Sequence, residues 1–494
     1  MARTYGIAPT DRDDNLADND NAPLLGAGVP KAVEAEGQDG HATIVSSVGN
    51  LSNTILGTGM LTFPLVMASG GIIPGVISCV TSGFIGALGL WMLSRCATRT
   101  PHRRASFFAV SKITFPSAAV FFDAAIAIKC FGVSIRSVIY STLTAFSAHS
   151  VSTFANSYLI IIKGLMPAVV RSFYHVYTAP DVDPPAWAVS GHVWIFIFLA
   201  FLAPLCFLDR LDSLRHTSYV ALFSVCYLVC IVIACYFFPP PGTIERGEIH
   251  LIKFDKSFIA TFPVQVFAYT CAQNLFPIYN ELKSNTQPRM NLVIFTSIFS
   301  ATATYEIIAF FGYLTFGSKV GSNIIAMYPS TTTFIAIGQF AIVVMVMFSY
   351  PLQVLPCRTC LDKVAGGAKK VTRPPSASEP IDEEDDEVLE PHGSHGKMSA
   401  ARHTALTMAI VGLGFMIAYF VDDLQLVLSF VGSTGSTTVS FILPGLFYFK
   451  LFRNDPGHSR VLLGAALGLA LYGILICIFC LSFNIMKIID SHRA

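Results

Sequence analysis

Eleven mainly apolar stretches, of roughly the twenty residues that a membrane-crossing helix needs, recur along the chain. They lie near 43–68, 72–95, 116–146, 192–208, 217–238, 258–279, 291–316, 333–356, 402–421, 424–449 and 461–485. The pattern predicts an all-α polytopic membrane protein of about eleven transmembrane helices. Two stretches are flawed. The first is broken by Gly57-Thr58-Gly59, with Pro64 one turn later. The sixth is broken by Phe267-Ala268-Tyr269-Thr270-Cys271-Ala272-Gln273-Asn274-Leu275-Phe276-Pro277, a polar cluster inside apolar sequence. Lipid supplies no water for loose backbone groups, so a break is tolerated only where the backbone faces protein or a polar cavity. Gly and Pro are the residues that unwind a helix most readily, and Pro277 is expected to free a carbonyl one turn earlier.

The spacing of the breaks carries information. They stand in spans one and six, and five intervening steps reverse the direction of crossing. Two inverted five-span repeats, each opening with a discontinuous helix, would place them so, and in transporters such breaks hold the substrate. Taken alone, Gly57 and Gly59 read equally well as a close helix-packing face. The second break shifts the reading to a substrate site.

An odd number of spans puts the termini on opposite sides. Arg95, Arg99, Arg103 and Arg104, then Arg210 and Arg215, Lys283 and Arg289, Lys363, Lys369 and Lys370, and Lys450, Arg453 and Arg460 all fall in loops on the side of the N-terminus. By the positive-inside rule that side is cytosolic. Residues 1–41 read as a disordered cytosolic tail, 42–494 as the transporter domain, and 361–400 as an acidic cytosolic loop carrying Glu383-Glu384-Asp385-Asp386-Glu387. Within the tail, Asp20, Leu24 and Leu25 fit an acidic dileucine pattern, which would engage a sorting adaptor.

Composition removes other classes. Of the 494 residues, 53% are hydrophobic and 13% charged, against roughly 25% charged in soluble domains. A net charge of +1 excludes a generally basic nucleic-acid binder. Cysteines such as Cys226, Cys230 and Cys235 sit inside apolar runs and read as small hydrophobes. No nucleophile–base pair, metal-ligand cluster or phosphate loop is legible, so no enzyme, metal or cofactor is expected.

The two breaks suit a zwitterion. The half-helix that starts after Gly57 would turn N–H groups and a positive dipole end toward a carboxylate. Freed carbonyls near Ser52, Asn53 and Tyr269 can accept an ammonium or hold a cation. The candidate substrate-binding residues are therefore Asn53, Gly57, Thr58, Gly59, Tyr269, Thr270, Cys271, Gln273 and Asn274. Asp123 and Lys129 in span three and Glu306 in span seven are ionisable residues at membrane depth, candidates for a proton relay or for a structural pairing. Asp123 and Lys129 are six apart and do not share a helix face.

Several runs resemble the amino acid/auxin permease superfamily, nearest its sodium-coupled neutral amino acid transporter branch and the fungal vacuolar amino acid transporters. They are Asn50-Leu51-Ser52-Asn53-Thr54-Ile55-Leu56-Gly57-Thr58-Gly59, Leu211-Asp212-Ser213-Leu214-Arg215-His216-Thr217-Ser218, Phe276-Pro277-Ile278-Tyr279-Asn280-Glu281-Leu282 and Gly312-Tyr313-Leu314-Thr315-Phe316-Gly317. The resemblance implies a LeuT-like fold with alternating access. It also implies that Asn53 helps bind substrate or coupling ion and that Ser349, in Ser349-Tyr350-Pro351, lines a sodium site. Family members often carry His where this chain has Ala272.

The resemblance implies a secondary active transporter, by symport or antiport, of small neutral amino acids, coupled to a proton or sodium gradient. The fungal likeness points to a vacuolar or lysosomal membrane, with the plasma membrane as the alternative. A sensor that binds an amino acid and signals through its cytosolic tails is the competing reading.

One segment departs from the family pattern. Cys130-Phe131-Gly132-Val133-Ser134 should run directly into Tyr158-Leu159-Ile160-Ile161-Ile162, yet residues 135–156, rich in Ser and Thr, intervene. They read as a retained intron or as a genuine insertion. Sequencing the transcript decides: on the intron reading the mature message lacks this segment, and a message that keeps it leaves the insertion.

Overall fold

The structure is a computed structural model. It describes residues 40–101, 103–118, 122, 157–178, 183–207, 215–253, 256–329, 332–371, 399–420 and 424–493. The chain separates into two units at Asp39/Gly40, and the larger, Gly40–Ala494, holds the described elements. Among the described residues these elements are helical. In chain order they are α1 (Ile44–Ile55), a 3-10 turn (Thr58–Thr62), α2 (Phe63–Gly70), α3 (Ile72–Ala97), α4 (Phe107–Thr114), α5 (Ser157–Tyr177), α6 (Gly191–Cys206), α7 (Arg215–Phe237) and α8 (Lys256–Ala268). A second 3-10 turn (Ala272–Asn274) leads to α9 (Leu275–Glu281), α10 (Gln287–Phe316), α11 (Ile324–Met327), α12 (Thr333–Val371), α13 (Ala400–Phe420) and α14 (Leu424–Val431). Two π turns (Gly432–Ser436 and Thr438–Ile442) join α14 to α15 (Leu443–Phe452), and α16 (Arg460–Arg493) closes the chain.

Six of the described helices are long and apolar enough to cross a membrane, and α1 with the turn and α2 behind it makes a seventh span bent by 47°. Three of the other predicted spans differ for identifiable reasons. The sixth is divided into pieces of 13 and 7 residues, and α6 has 16 residues. The third, predicted over 116–146, falls almost wholly outside the described residues. Helix α5, not expected as an element of its own, carries Leu159, Ile161, Ile162 and Leu165 into the core. Helix α12 runs on to Val371, so the loop predicted from residue 361 begins about ten residues later.

Both breaks follow the same plan: a helix, a short 3-10 turn, then a helix with proline in its first turn, at Phe63-Pro64 and at Phe276-Pro277. Proline in a first turn removes an N–H that has no helical acceptor anyway. The expectation that Pro277 itself unwinds the span is therefore corrected: the helical ladder ends at Ala268, and Pro277 sits within the helix that restarts. Matching punctuation in spans one and six is what an inverted repeat requires.

Helices α1, α2, α3, α8 and α10 pack on one another, and α5, α6, α7, α12 and α13 form a second group that meets the first through α7. Extended chain ties the elements at both ends. At one end, Ala42 forms a bridge with Leu282: its N–H donates to the Glu281 carbonyl at 3.0 Å, and Lys283 N donates to the Ala42 carbonyl at 2.9 Å. Ala42, expected as the first residue of the transporter domain, is thus fastened to the exit of span six. Arg103 Nη1 reaches the carbonyls of Asn280 (2.6 Å) and Leu282 (3.2 Å). At the other end, residues 247–253 lie across two corners. Ile72 N and Ile73 N, which lack helical acceptors at the start of α3, donate to the carbonyls of His250 (3.1 Å) and Leu251 (3.0 Å). Gly247 N donates to the Phe316 carbonyl at 2.9 Å, where the chain leaves α10 through Gly317 at φ 60°.

The π turns bring span ten against the second break. Ser433 and Thr434 hydroxyls donate back to the Phe430 carbonyl (3.1 and 2.8 Å) and Thr437 to the Ser433 carbonyl (2.9 Å), occupying the carbonyls that the wider turn loosens. A Cβ on Gly432 would overlap the Pro263 carbonyl oxygen. Gly432→Ala should therefore cost about 1–3 kcal/mol, the usual range for overpacking. Gly412→Ala, whose Cβ would meet nothing within 4 Å, should leave stability unchanged or raised. Thermal unfolding of the two purified variants in detergent checks the contrast.

Candidate functional site

The two breaks touch. A Cβ built on Gly59 would stand 2.6 Å from Ala268 Cβ and 2.8 Å from its Cα. Asn274 Nδ2 donates to Thr54 Oγ1 at 2.9 Å, and that hydroxyl donates to the Asn50 carbonyl at 2.9 Å. The tie is completed by Tyr305 of α10, fully buried, whose hydroxyl lies 2.6 Å from the Ile55 carbonyl and 3.0 Å from the Ala268 carbonyl. These are the last helical residues before each break. A helix that continued would serve those carbonyls through the N–H groups of Gly59 and Ala272. Here Gly57 N closes on the Ile55 carbonyl at 2.7 Å, and the phenol supplies the rest.

The Tyr305 ring is fixed by neighbours from both breaks. It stacks on Phe63 at 4.4 Å and 20°, and meets the Tyr269 ring edge-on at 5.2 Å. Tyr269 itself directs its hydroxyl away from the breaks, donating to Thr302 Oγ1 at 3.0 Å with Cys79 Sγ 3.2 Å away.

The predicted residues separate by what they do. Gly59 is a packing position against Ala268, the alternative that the sequence left open for the glycine pair. Gly57 is not: its Cβ would meet only the Ile55 carbonyl oxygen and the Tyr158 hydroxyl, both at 3.9 Å. Thr58 is buried. Thr270 donates to the Val266 carbonyl at 2.6 Å and accepts from Ser440 Oγ of the second π turn at 3.2 Å. Cys271 is buried and its carbonyl accepts from Asn274 N at 3.0 Å. Gln273 is 5% exposed, yet neither atom of its amide finds a partner among the described residues. Asn53 Nδ2 donates to Ser218 Oγ of α7 at 3.1 Å, while its buried Oδ1 finds none. An amide left so forgoes about 1–3 kcal/mol, which marks both side chains as awaiting a polar partner.

Ser349 of α12 donates to the Met345 carbonyl of its own helix at 2.9 Å. No hydrogen bond joins it to Asn53. Its neighbour Tyr350 meets the Tyr158 ring at 6.4 Å, so Tyr158 stands between span eight and the ground beside Gly57. Glu306 is half-buried on α10 near the Cys79 thiol, and its Oε1 finds no hydrogen-bond partner among the described residues. Asp123, Lys129, Asp20, Leu24 and Leu25 lie outside the described residues. Tyr305 and Tyr158 were missed from sequence because a tyrosine inside an apolar stretch reads as core filler.

Two broken helices that meet mid-span, within inverted repeats, define a transporter of the LeuT-like class. The comparisons agree. At 12% identity, the chain superposes on Mhp1, a nucleobase-cation-symport-1 family transporter, with a TM-score of 0.52 over 92% of this chain and 93% of that one. The model of the transmembrane amino acid transporter protein family matches residues 40–150 and 149–486, and the chain belongs to that family. It is 40% identical over 462 residues to vacuolar amino acid transporter 5 of Schizosaccharomyces pombe, spanning 92% of this chain and 96% of the relative. To vacuolar amino acid transporter 6 of Saccharomyces cerevisiae it is 34% identical, over 89% and 98%. Sodium-coupled neutral amino acid symporter 2 of Danio rerio is 24% identical, over 93% and 86%.

The division of labour between the glycines is testable. Gly59→Ala should part the breaks and lower stability by about 1–3 kcal/mol, whereas Gly57→Ala should leave the unfolding temperature at the wild-type value. Thermal unfolding of both variants in detergent separates them.

Proposed function

We propose that the protein is a secondary active transporter that carries small neutral amino acids across the vacuolar membrane by alternating access. The observation that carries this reading is the meeting of the two breaks beside Gly57, where backbone and uncharged polar groups converge. The positive end of the helix restarting after Gly57 suits the substrate carboxylate, with the Tyr158 hydroxyl 3.9 Å from where a Gly57 Cβ would stand. Of the carbonyls ending α1 and α8, that of Ile55 takes both the Gly57 N–H and the Tyr305 hydroxyl, and that of Ala268, bonded to Tyr305, keeps a second lone pair suited to the ammonium. The amide of Gln273 and Oδ1 of Asn53 are the polar groups left to receive the remaining partners. No charged side chain is needed to balance a zwitterion.

The names of the curated relatives support the substrate class and the vacuole. Between coupling ions, a proton is favoured over sodium. A hard cation takes several oxygen ligands, and apart from Tyr350 the Ser349 hydroxyl is the only side-chain hydroxyl in its immediate run. Glu306 offers a carboxylate at membrane depth, where ionisable groups mark ion pathways. The Asp20, Leu24 and Leu25 pattern is the proposed address read by a sorting adaptor. Residues 135–156 interrupt span three just ahead of Tyr158; the family match passes from one segment to the next within them, at residues 149–150, and a retained intron or a genuine insertion remains the reading for them.

A panel of radiolabelled amino acids offered to proteoliposomes, with pH and sodium gradients imposed separately, tests the reading. Uptake of neutral amino acids driven by a pH gradient without sodium is expected. A strict sodium requirement overturns the proton assignment, and binding without uptake makes the protein a sensor. Gly57→Leu, which fills the space before Tyr158, should fold and lose uptake.

A further inference from the structure

Tyr305 is on none of the elements that the breaks themselves supply, yet it touches three of the four half-helices. Its hydroxyl bonds the last carbonyl of α1 and the last carbonyl of α8. Its ring stacks on Phe63, the first residue of α2. Phe63 and Tyr269 also meet edge-on at 6.2 Å, so the three rings form a closed cluster. The side chain is 0% exposed, and no rotation frees the hydroxyl without displacing a ring from each break. A hydrogen bond weakens steeply as its geometry opens. Neither leading half-helix can therefore shift appreciably against the other while this phenol holds both.

We infer that Tyr305 is a positioning residue for transport: it sets the relative placement of the two carbonyl-bearing helix ends, so that the two halves of the substrate site form and move as one. The inference rests on the reading that the breaks hold the substrate. Glycine packing at Gly59 and the Asn274–Thr54 bond add ties on the flanks, and Gly57 N serves the Ile55 carbonyl within its own break, but the phenol bonds the last carbonyls of both breaks. Removing its oxygen leaves the ring, the stacking and the packing volume in place. The loss falls on the geometry of the carbonyl pair, and so on recognition of the ammonium.

The experiment is Tyr305→Phe, purified and reconstituted at equal amounts of folded protein, with the fastest-transported radiolabelled amino acid of the uptake panel as probe. The KM is expected to rise about tenfold or more, as befits the loss of one buried hydrogen bond, with Vmax changed far less. A purely structural tyrosine would lower the yield of folded protein and leave KM where it is, and wild-type KM in the folded variant overturns the inference. Should Tyr305→Phe fail to fold, Phe63→Leu removes the stacked ring and leaves the hydroxyl, and the same KM criterion applies to it. Gly57→Leu separates the two failures. If it abolishes uptake while Tyr305→Phe behaves as wild type, only the positioning role falls. If Gly57→Leu transports normally, the substrate site lies elsewhere and both readings fall.

Discussion

A carbonyl at the end of a helix buried among apolar side chains has to find a hydrogen bond, because in that surrounding an unmade one costs about 1–3 kcal/mol. Unwinding a span mid-way creates such carbonyls by necessity, and this chain does it twice. Much of the central architecture can be understood as the answer to that demand. Gly57 folds its own N–H back onto Ile55, Thr270 and Thr437 direct hydroxyls onto backbone, and Tyr305 reaches from a third helix to serve both breaks at once. The aromatic cluster of Phe63, Tyr269 and Tyr305 then has a reason beyond volume, since it holds the phenol where the carbonyls are.

The same demand explains why the helices group as they do. The elements that own the breaks, α1, α2, α8 and the helix that bridges them, α10, share one packed body with α3. The helices that do not, α5, α6, α7 and α13, form another around α12. The space beside Gly57 faces Tyr158, the second residue of α5. It therefore lies where one body meets the other, and that seam is what rocking one against the other would open and close.

The broad fold was legible because lipid imposes a simple code of long apolar runs, and the breaks were legible because Gly and Pro interrupt it. Their pairing was legible from position alone. Other features were not, for reasons that are local. Pro277 looked like the cause of the second break, but a proline in a first turn is consistent with starting a helix, and only the ladder's end at Ala268 tells which. Gly57 and Gly59 are the same residue type two positions apart, and whether a neighbour fills the space at each depends on Ala268, more than two hundred residues away. Tyr305 and Tyr158 carry no mark in the sequence, since their roles are set by which carbonyl or glycine a distant segment brings to them. The bridge from Ala42 to Leu282 went unseen because a single bridging residue has no periodicity to detect.

A phenol has one proton, and the two breaks present it with two carbonyls, one of which, that of Ile55, also accepts from Gly57 N. It cannot serve them equally, and it does not: the bond to the first repeat is 2.6 Å and that to the second 3.0 Å. Two breaks built on one plan thus differ in how their last carbonyls are served: the first by its own backbone and the phenol together, the second by the phenol.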